Sequence, residues 1–188
     1  MRTASALAAC LCAVLQTRAA IALGDTDERR AVDPAKTKAQ FSIQHVFVEH
    51  VTGTLPVIEG WVTLAAGSTV PSSATAVLDA TKIDTGDTDR DGSLTSPDFF
   101  DAKKFPTWTF TSTKITAQGP AAFGMDGMLT VHGVTQPEHL DVTVGGNAAH
   151  PSYHAVGHID RRAFGMTVTR LDPSIGGIAD VTLDIALK

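Results

Sequence analysis

Residues 41–48 read Phe41-Ser42-Ile43-Gln44-His45-Val46-Phe47-Val48. Taken two apart, Phe41, Ile43, His45 and Phe47 fall on one side of an extended strand, and Ser42, Gln44, Val46 and Val48 fall on the other. The same period of two recurs in residues 60–64, 74–83, 107–116, 123–132, 140–144, 154–159 and 181–187, with Gly, Pro, Asn or Asp between most of the runs. About eight strands at short intervals, with almost no helical periodicity, predict an all-β chain whose antiparallel sheet closes into a barrel or folds into a sandwich. In residues 109–115 the second face is Thr and Lys, whereas in residues 46–51 neither face is strongly polar. Such two-sided strands are expected where some side chains point into a lined cavity.

The length of 188 residues, with 43% hydrophobic and 19% charged, is that of one ordinary globular domain or at most two small ones. A formal charge of −5 leaves no overall cationic surface to neutralise phosphates, which disfavours nucleic acid as a partner. Residues 3–15 form an uncharged apolar run after Arg2, and Ala20-Ile21-Ala22 places small residues where a signal peptidase reads them. Residues 1–22 are therefore read as a secretory signal, with a periplasmic or secreted product. The run is shorter than the roughly 20 apolar residues of a membrane-spanning helix, and Gln16 and Arg18 interrupt it. Both cysteines, Cys10 and Cys12, leave with the signal, so the remainder has no disulfide, thiol nucleophile or cysteine metal ligand. Residues 23–31 are polar and read as a flexible lead-in to a domain over residues 32–188.

One short helix is predicted near residues 97–104. Ser96 can cap it, Pro97 suits the first helical position, Asp98 favours the positive end, Lys103 and Lys104 favour the negative end, and Phe105-Pro106 stops it. Phe99 and Phe100 would then plug one end of the sheet, where they could also touch a ligand.

Several blocks occur in a fixed order: Phe41-x-Ile43-x-His45; Ile83-Asp84-Thr85-Gly86 followed by Arg90-Asp91; Ser96-x-Asp98-Phe99-Phe100-Asp101; Phe105-Pro106; and Phe110-x-Ser112-Thr113. Then come Gly127-x-Leu129-Thr130-x-His132-Gly133-Val134-Thr135 and Arg161-x-x-Phe164-Gly165-Met166. In these blocks the chain resembles the YceI-like family of bacterial periplasmic lipid-binding proteins. The resemblance implies a lipocalin-like eight-stranded antiparallel β-barrel whose apolar interior holds a polyisoprenoid, quinone-like or similar long-chain amphiphile, without covalent chemistry. One departure is Ser93, where that family usually has a histidine before Leu94.

The physical case for a carrier stands beside the resemblance. Each buried methylene contributes roughly 0.8 kcal/mol, so enclosing about three isoprenoid units could contribute about 10 kcal/mol before association costs. Candidate lining residues are Phe41, Ile43, Phe47, Trp108, Phe110, Met128, Phe164 and Met166, together with Phe99 and Phe100 at the mouth. Strand parity says which of them share a face, not which way that face points.

Other chemistries are weaker. Residues 87–98 counted as a twelve-residue calcium loop place Asp87, Asp89, Asp91 and Asp98 at positions 1, 3, 5 and 12 with Gly92 at 6. That spacing supports an alternative reading, a calcium-stabilised β domain acting as an interaction module without lipid. Against it, position 12 is Asp rather than the longer Glu, and a strand precedes the loop. His150, His154 and His158 recur every four residues, but Pro151 and Gly157 argue against the helix that would align them. For an enzyme there is no G-x-S-x-G, H-E-x-x-H or phosphate-binding glycine loop, and Glu28, Glu49, Glu59 and Glu138 are scattered without an evident acid–base pair. Arg161 could anchor a head group or pair with an acid at the barrel rim. A binding function without catalysis is the reading that results; a homodimer is left open.

Overall fold

The computed structural model describes residues 27–46, 49–167 and 174–188. The proposed signal lies outside the described residues, as does Phe47. Ten strands run in chain order: β1 (Glu28–Ala31), β2 (Lys38–His45), β3 (Glu49–Thr54), β4 (Val57–Leu64), β5 (Ser73–Asp79), β6 (Thr107–Gly119), β7 (Ala122–Val131), β8 (Val134–Gly146), β9 (Pro151–Asp160) and β10 (Ile175–Ala186). They form one antiparallel sheet in the order β1-β4-β5-β6-β7-β8-β9-β10-β2-β3. The sheet curls strongly, as a twisted antiparallel sheet does when one face must bury itself.

Two of the ten strands escaped the reading of the sequence. Glu28–Ala31, assigned there to the flexible lead-in, pairs along β4 as an edge strand, with Arg29 lying 4.4 Å over the Trp61 ring. Charged side chains are what an edge strand carries, and they hide its periodicity. β3 was absorbed into the preceding run because residues 46–51 show no polarity contrast. It pairs back on β2 from Gln40↔Thr54 to His45↔Glu49.

The curl is stitched by backbone hydrogen bonds. Val32 N–H donates to Gly60 O at 2.8 Å, Asp33 N–H donates to Ala186 O at 2.8 Å, and Lys188 N–H donates to Ala31 O at 2.9 Å. Residues 31–33 thus join β4 to the end of β10, far apart in the strand order. Thr54, at the end of edge strand β3, exchanges two hydrogen bonds with Asp84, at 2.8 and 3.1 Å.

The helix exists but is displaced. α1 spans Thr88–Thr95, and Ser96 is its C-cap rather than its N-cap; residues 97–104 are successive turns. Asp87 takes the N-cap, its Oδ1 accepting from Asp89 N–H and Arg90 N–H at 3.0 Å each, and the Arg90 bond leads in holding its carboxyl below the usual range. Asp89 and Asp91 in the first turn add to the favourable dipole interaction. Phe99 and Phe100 are buried in the turns that follow, so the plug is present without the helix expected to carry it.

The hairpin between β7 and β8 turns through His132 and Gly133 at φ values of 52° and 76°, the two-residue geometry that favours glycine at its second position. One end of the curl is filled by its own side chains. There Val62, Leu64, Phe123, Met125, Val142, Tyr153 and Ala155 form a packed cluster, with the Phe123 and Tyr153 rings 6.0 Å apart and nearly perpendicular.

Tyr153 is the sole tyrosine, and its hydroxyl donates to Thr69 O at 3.1 Å. Burial pushes the phenol up to about 12. Because the folded value lies above the unfolded one near 10, the stability this group contributes is complete below pH 10 and is lost as the pH rises from 10 towards 12. Absorbance titration at about 295 nm should therefore show no phenolate in folded protein until roughly two pH units above free tyrosine. Ionisation near pH 10 in protein that remains folded would contradict this packing.

Candidate functional site

The other end of the curl is hollow. A cavity of about 360 Å³ lies between α1, the Phe99–Phe100 turns and the inner faces of β2, β6, β9 and β10. Register explains its walls: Phe41 stands opposite Val181 and Ile43 opposite Ala179 on paired β2 and β10, and all four face the hollow. The ladder that fixes the strands therefore also fixes the lining. Phe100 meets Trp108 edge-on, with centroids 4.8 Å apart and planes at 88°.

A smaller chamber of about 100 Å³ lies behind the first. Phe41, Trp108, Ile159 and Val181 face both spaces and form the partition between them.

The polar contributors to the large cavity are His45, Arg90, Ser93 and Arg161. Arg90 donates from Nε to Thr85 Oγ1 at 2.8 Å and from Nη2 to Thr85 O at 3.1 Å, which fixes its guanidinium against the loop before α1. Ser93, at the position where a histidine was expected by resemblance, donates to Asp89 O at 2.9 Å. Arg161 is buried, with 6% exposure, and donates to the carbonyls of Gly176 at 2.8 Å, Ile175 at 3.1 Å and Met166. It ties the turn after β9 to the start of β10. Trp108 Nε1 is a buried donor with no acceptor among the described residues, so the partition presents one unspent N–H.

The residues proposed from the sequence divide clearly. Phe41, Ile43, Phe99, Phe100, Trp108 and Met166 line the large cavity, and Phe110 lines the small chamber. Phe164 is fully buried in the adjoining core and lines neither space. Met128 is 38% exposed and faces outward, because its neighbours Leu129 and Gly127 take the inward positions of β7. Val51, Leu94, Val131, Ile159, Ile175, Ala179 and Val181 were missed. Several are small or β-branched residues whose parity matches Phe41 only across the sheet, a relation that exists once register is known.

The calcium loop is replaced by a capped helix. Asp87 is engaged by the N-terminal amides of α1, while Asp91 Oδ1 accepts from Thr85 N–H at 2.9 Å and Thr85 Oγ1 at 2.6 Å. These acids serve different backbone groups instead of converging, and no group of three metal-ligating side chains gathers among the described residues. His154 and His158 stand on the outer face of β9 and bond Asp184 and Asp180 of β10, each at 2.7 Å. No helix among the described residues is long and apolar enough to cross a membrane.

A family model for the YceI-like domain matches residues 31–188. The chain is similar to protein YceI of Salmonella newport, at 30% identity over 140 residues covering 71% of this chain and 72% of that one. It is also 32% identical over 103 residues to a UPF0312 protein of Vibrio campbellii, an alignment spanning about half the length of each, 55% and 54%. Among solved structures, BcnA of Burkholderia cenocepacia superposes with a TM-score of 0.70 at 22% identity, covering 84% of this chain and 99% of that chain. A domain from Saccharophagus degradans described as polyisoprenoid binding superposes with a TM-score of 0.66 at 16% identity, covering 84% and 97%.

Replacing Arg161 with Met keeps much of the side-chain bulk but leaves three carbonyls without their donor. The expected cost is about 3 kcal/mol, read by urea denaturation. A change within about 0.5 kcal/mol would show that these bonds do not hold the hollow end together.

Proposed function

The chain belongs to the YceI-like domain family, and on that footing we propose that it is a binding protein that holds or carries a polyisoprenoid or similar long-chain amphiphile, exported so that it works in the periplasm or outside the cell. The observation that carries this reading is the hollow itself. A filled interior would be the default for a sheet of this size, since close packing of side chains is what stabilises most cores. Here phenylalanine, tryptophan and aliphatic side chains instead surround empty space.

Size and chemistry both support a lipid. The large cavity lies at the lower end of the roughly 300–1,000 Å³ range of ligand sites. A chain longer than it can hold must pass the Phe41–Trp108 partition or extend beyond the mouth. Transfer of such a chain from water is driven by burial of its methylenes, which asks for apolar walls and little else. His45, Arg90 and Ser93 sit at the α1 end, where they suit the polar end of a ligand. Among the described residues the lining surface is almost wholly apolar, which suits binding of a chain rather than catalysis.

Lipid extraction of protein purified from its native host, followed by mass spectrometry, should recover a long-chain isoprenoid or related amphiphile. Delipidated protein should bind a prenylated quinone with a change in tryptophan emission. Ala179→Phe, which projects a ring into the hollow, should weaken that binding by about tenfold or more while thermal stability is retained. Empty protein from the host, together with no binding of prenyl or fatty probes, would defeat the proposal.

A further inference from the structure

The small chamber differs from the large one in containing an acid. Glu138 lies on β8 with the same parity as Leu140 and Val142, and Val142 is almost wholly buried, so the glutamate points inward. Its cross-strand neighbour on β7 is Gly127, which supplies no side chain; the Phe110 ring lies so close there that a Cβ would come within 2.2 Å of it. On the other side the β8–β9 ladder ends at Leu140↔Gly157, so from Glu138 back to Val134 the two strands are no longer paired. A hydrogen bond from Gln136 Nε2 to Ala163 O at 2.9 Å spans the far side of this gap. The gap is a lateral window into the chamber, with Glu138, His139 and His158 at its edges.

Glu138 has no hydrogen-bond or ion-pair partner among the described residues, and the charge nearest in effect is another acid, Asp160. Burial and that like charge both raise its pKa. The two histidines at the window are paired with other acids rather than with Glu138: His139 holds Asp126 at 2.6 Å and Asp141 at 3.5 Å, bonds that raise its pKa, and His158 holds Asp180 at 2.7 Å. A partly buried carboxylate without a cation is unfavourable in the empty protein, and the missing partner can come from a ligand.

We infer that the β8–β9 window is a subsite for a protonated amine, so that an amphiphile with a cationic end group is held with its ammonium on Glu138 and its chain in the barrel. This rests on the carrier reading above, and it adds a class of ligand and a second mouth. Chain burial supplies affinity common to all amphiphiles of one length. The charge-assisted hydrogen bond to Glu138 supplies the discrimination.

Dodecylamine, dodecanol and lauric acid, compared below their aggregation limits by displacement of a fluorescent probe from delipidated protein, test the inference. The amine should bind about tenfold more tightly than the alcohol, and the acid more weakly than either. In Glu138→Gln the ratio of amine to alcohol affinity should fall to about one. Equal affinity of amine and alcohol for the unmodified protein, or a ratio that persists in Glu138→Gln, overturns the inference while leaving the carrier reading intact. Failure of all three probes to bind overturns both.

Discussion

A curled sheet has two edges, and each unpaired edge exposes donors and acceptors that must find partners in water or in the chain. The passage through residues 31–33 meets that constraint by bonding to Gly60 on one side and to Ala186 and Lys188 on the other. Asp84 does the same for the end of β3. Main-chain bonds thereby link the ends of the strand order, and the stretch of β8 from Val134 to Glu138 is the gap they leave beside β9. Side chains fill the interior in two clusters, one around Phe123, Tyr153 and Val142 and one around Leu55, Val57 and Phe164 beside the cavity. Backbone bonds hold the shape, and Phe41, Ile43, Trp108 and Val181 line the cavity.

How the polar residues of the cavity are committed bears on what they can do. Arg161 spends its donors on three carbonyls that meet where β9 turns towards β10, and Arg90 spends two on Thr85. Each places positive charge beside an apolar space while being anchored to the protein. Such fixed groups can orient a polar end without costing ordering entropy at the moment of binding. Trp108 and Glu138 stand apart because the N–H of one and the carboxylate of the other remain unspent.

Most of the strands were legible because period two survives wherever one face is apolar and the other is not. It failed at residues 46–51, where both faces are mixed, and at Glu28–Ala31, where charge marks an exposed edge. The helix was misplaced by nine residues because two capping signals compete. Ser96-Pro97 looks the better of them, yet Asp87, supported by Asp89 and Asp91 in the first turn, starts the helix. For the site, parity placed Phe41 with Ile43 and Trp108 with Phe110. Direction was beyond it, and Met128 fell on the outer face because β7 turns Leu129 and Val131 inward. Glu138 was weighed only as half of a catalytic pair, since a lone acid gives no sign in sequence that its strand will lose its neighbour.

The partition between the chambers has a thermodynamic corollary. Phe41, Trp108, Ile159 and Val181 are the rear of one room and the front of the other, so a ring displaced to enlarge either space is taken from its neighbour. Any effect of filling one room on the other would be mutual: what the first adds to or subtracts from the second, the second returns in equal measure. The curled sheet thus encloses two rooms with one wall in common.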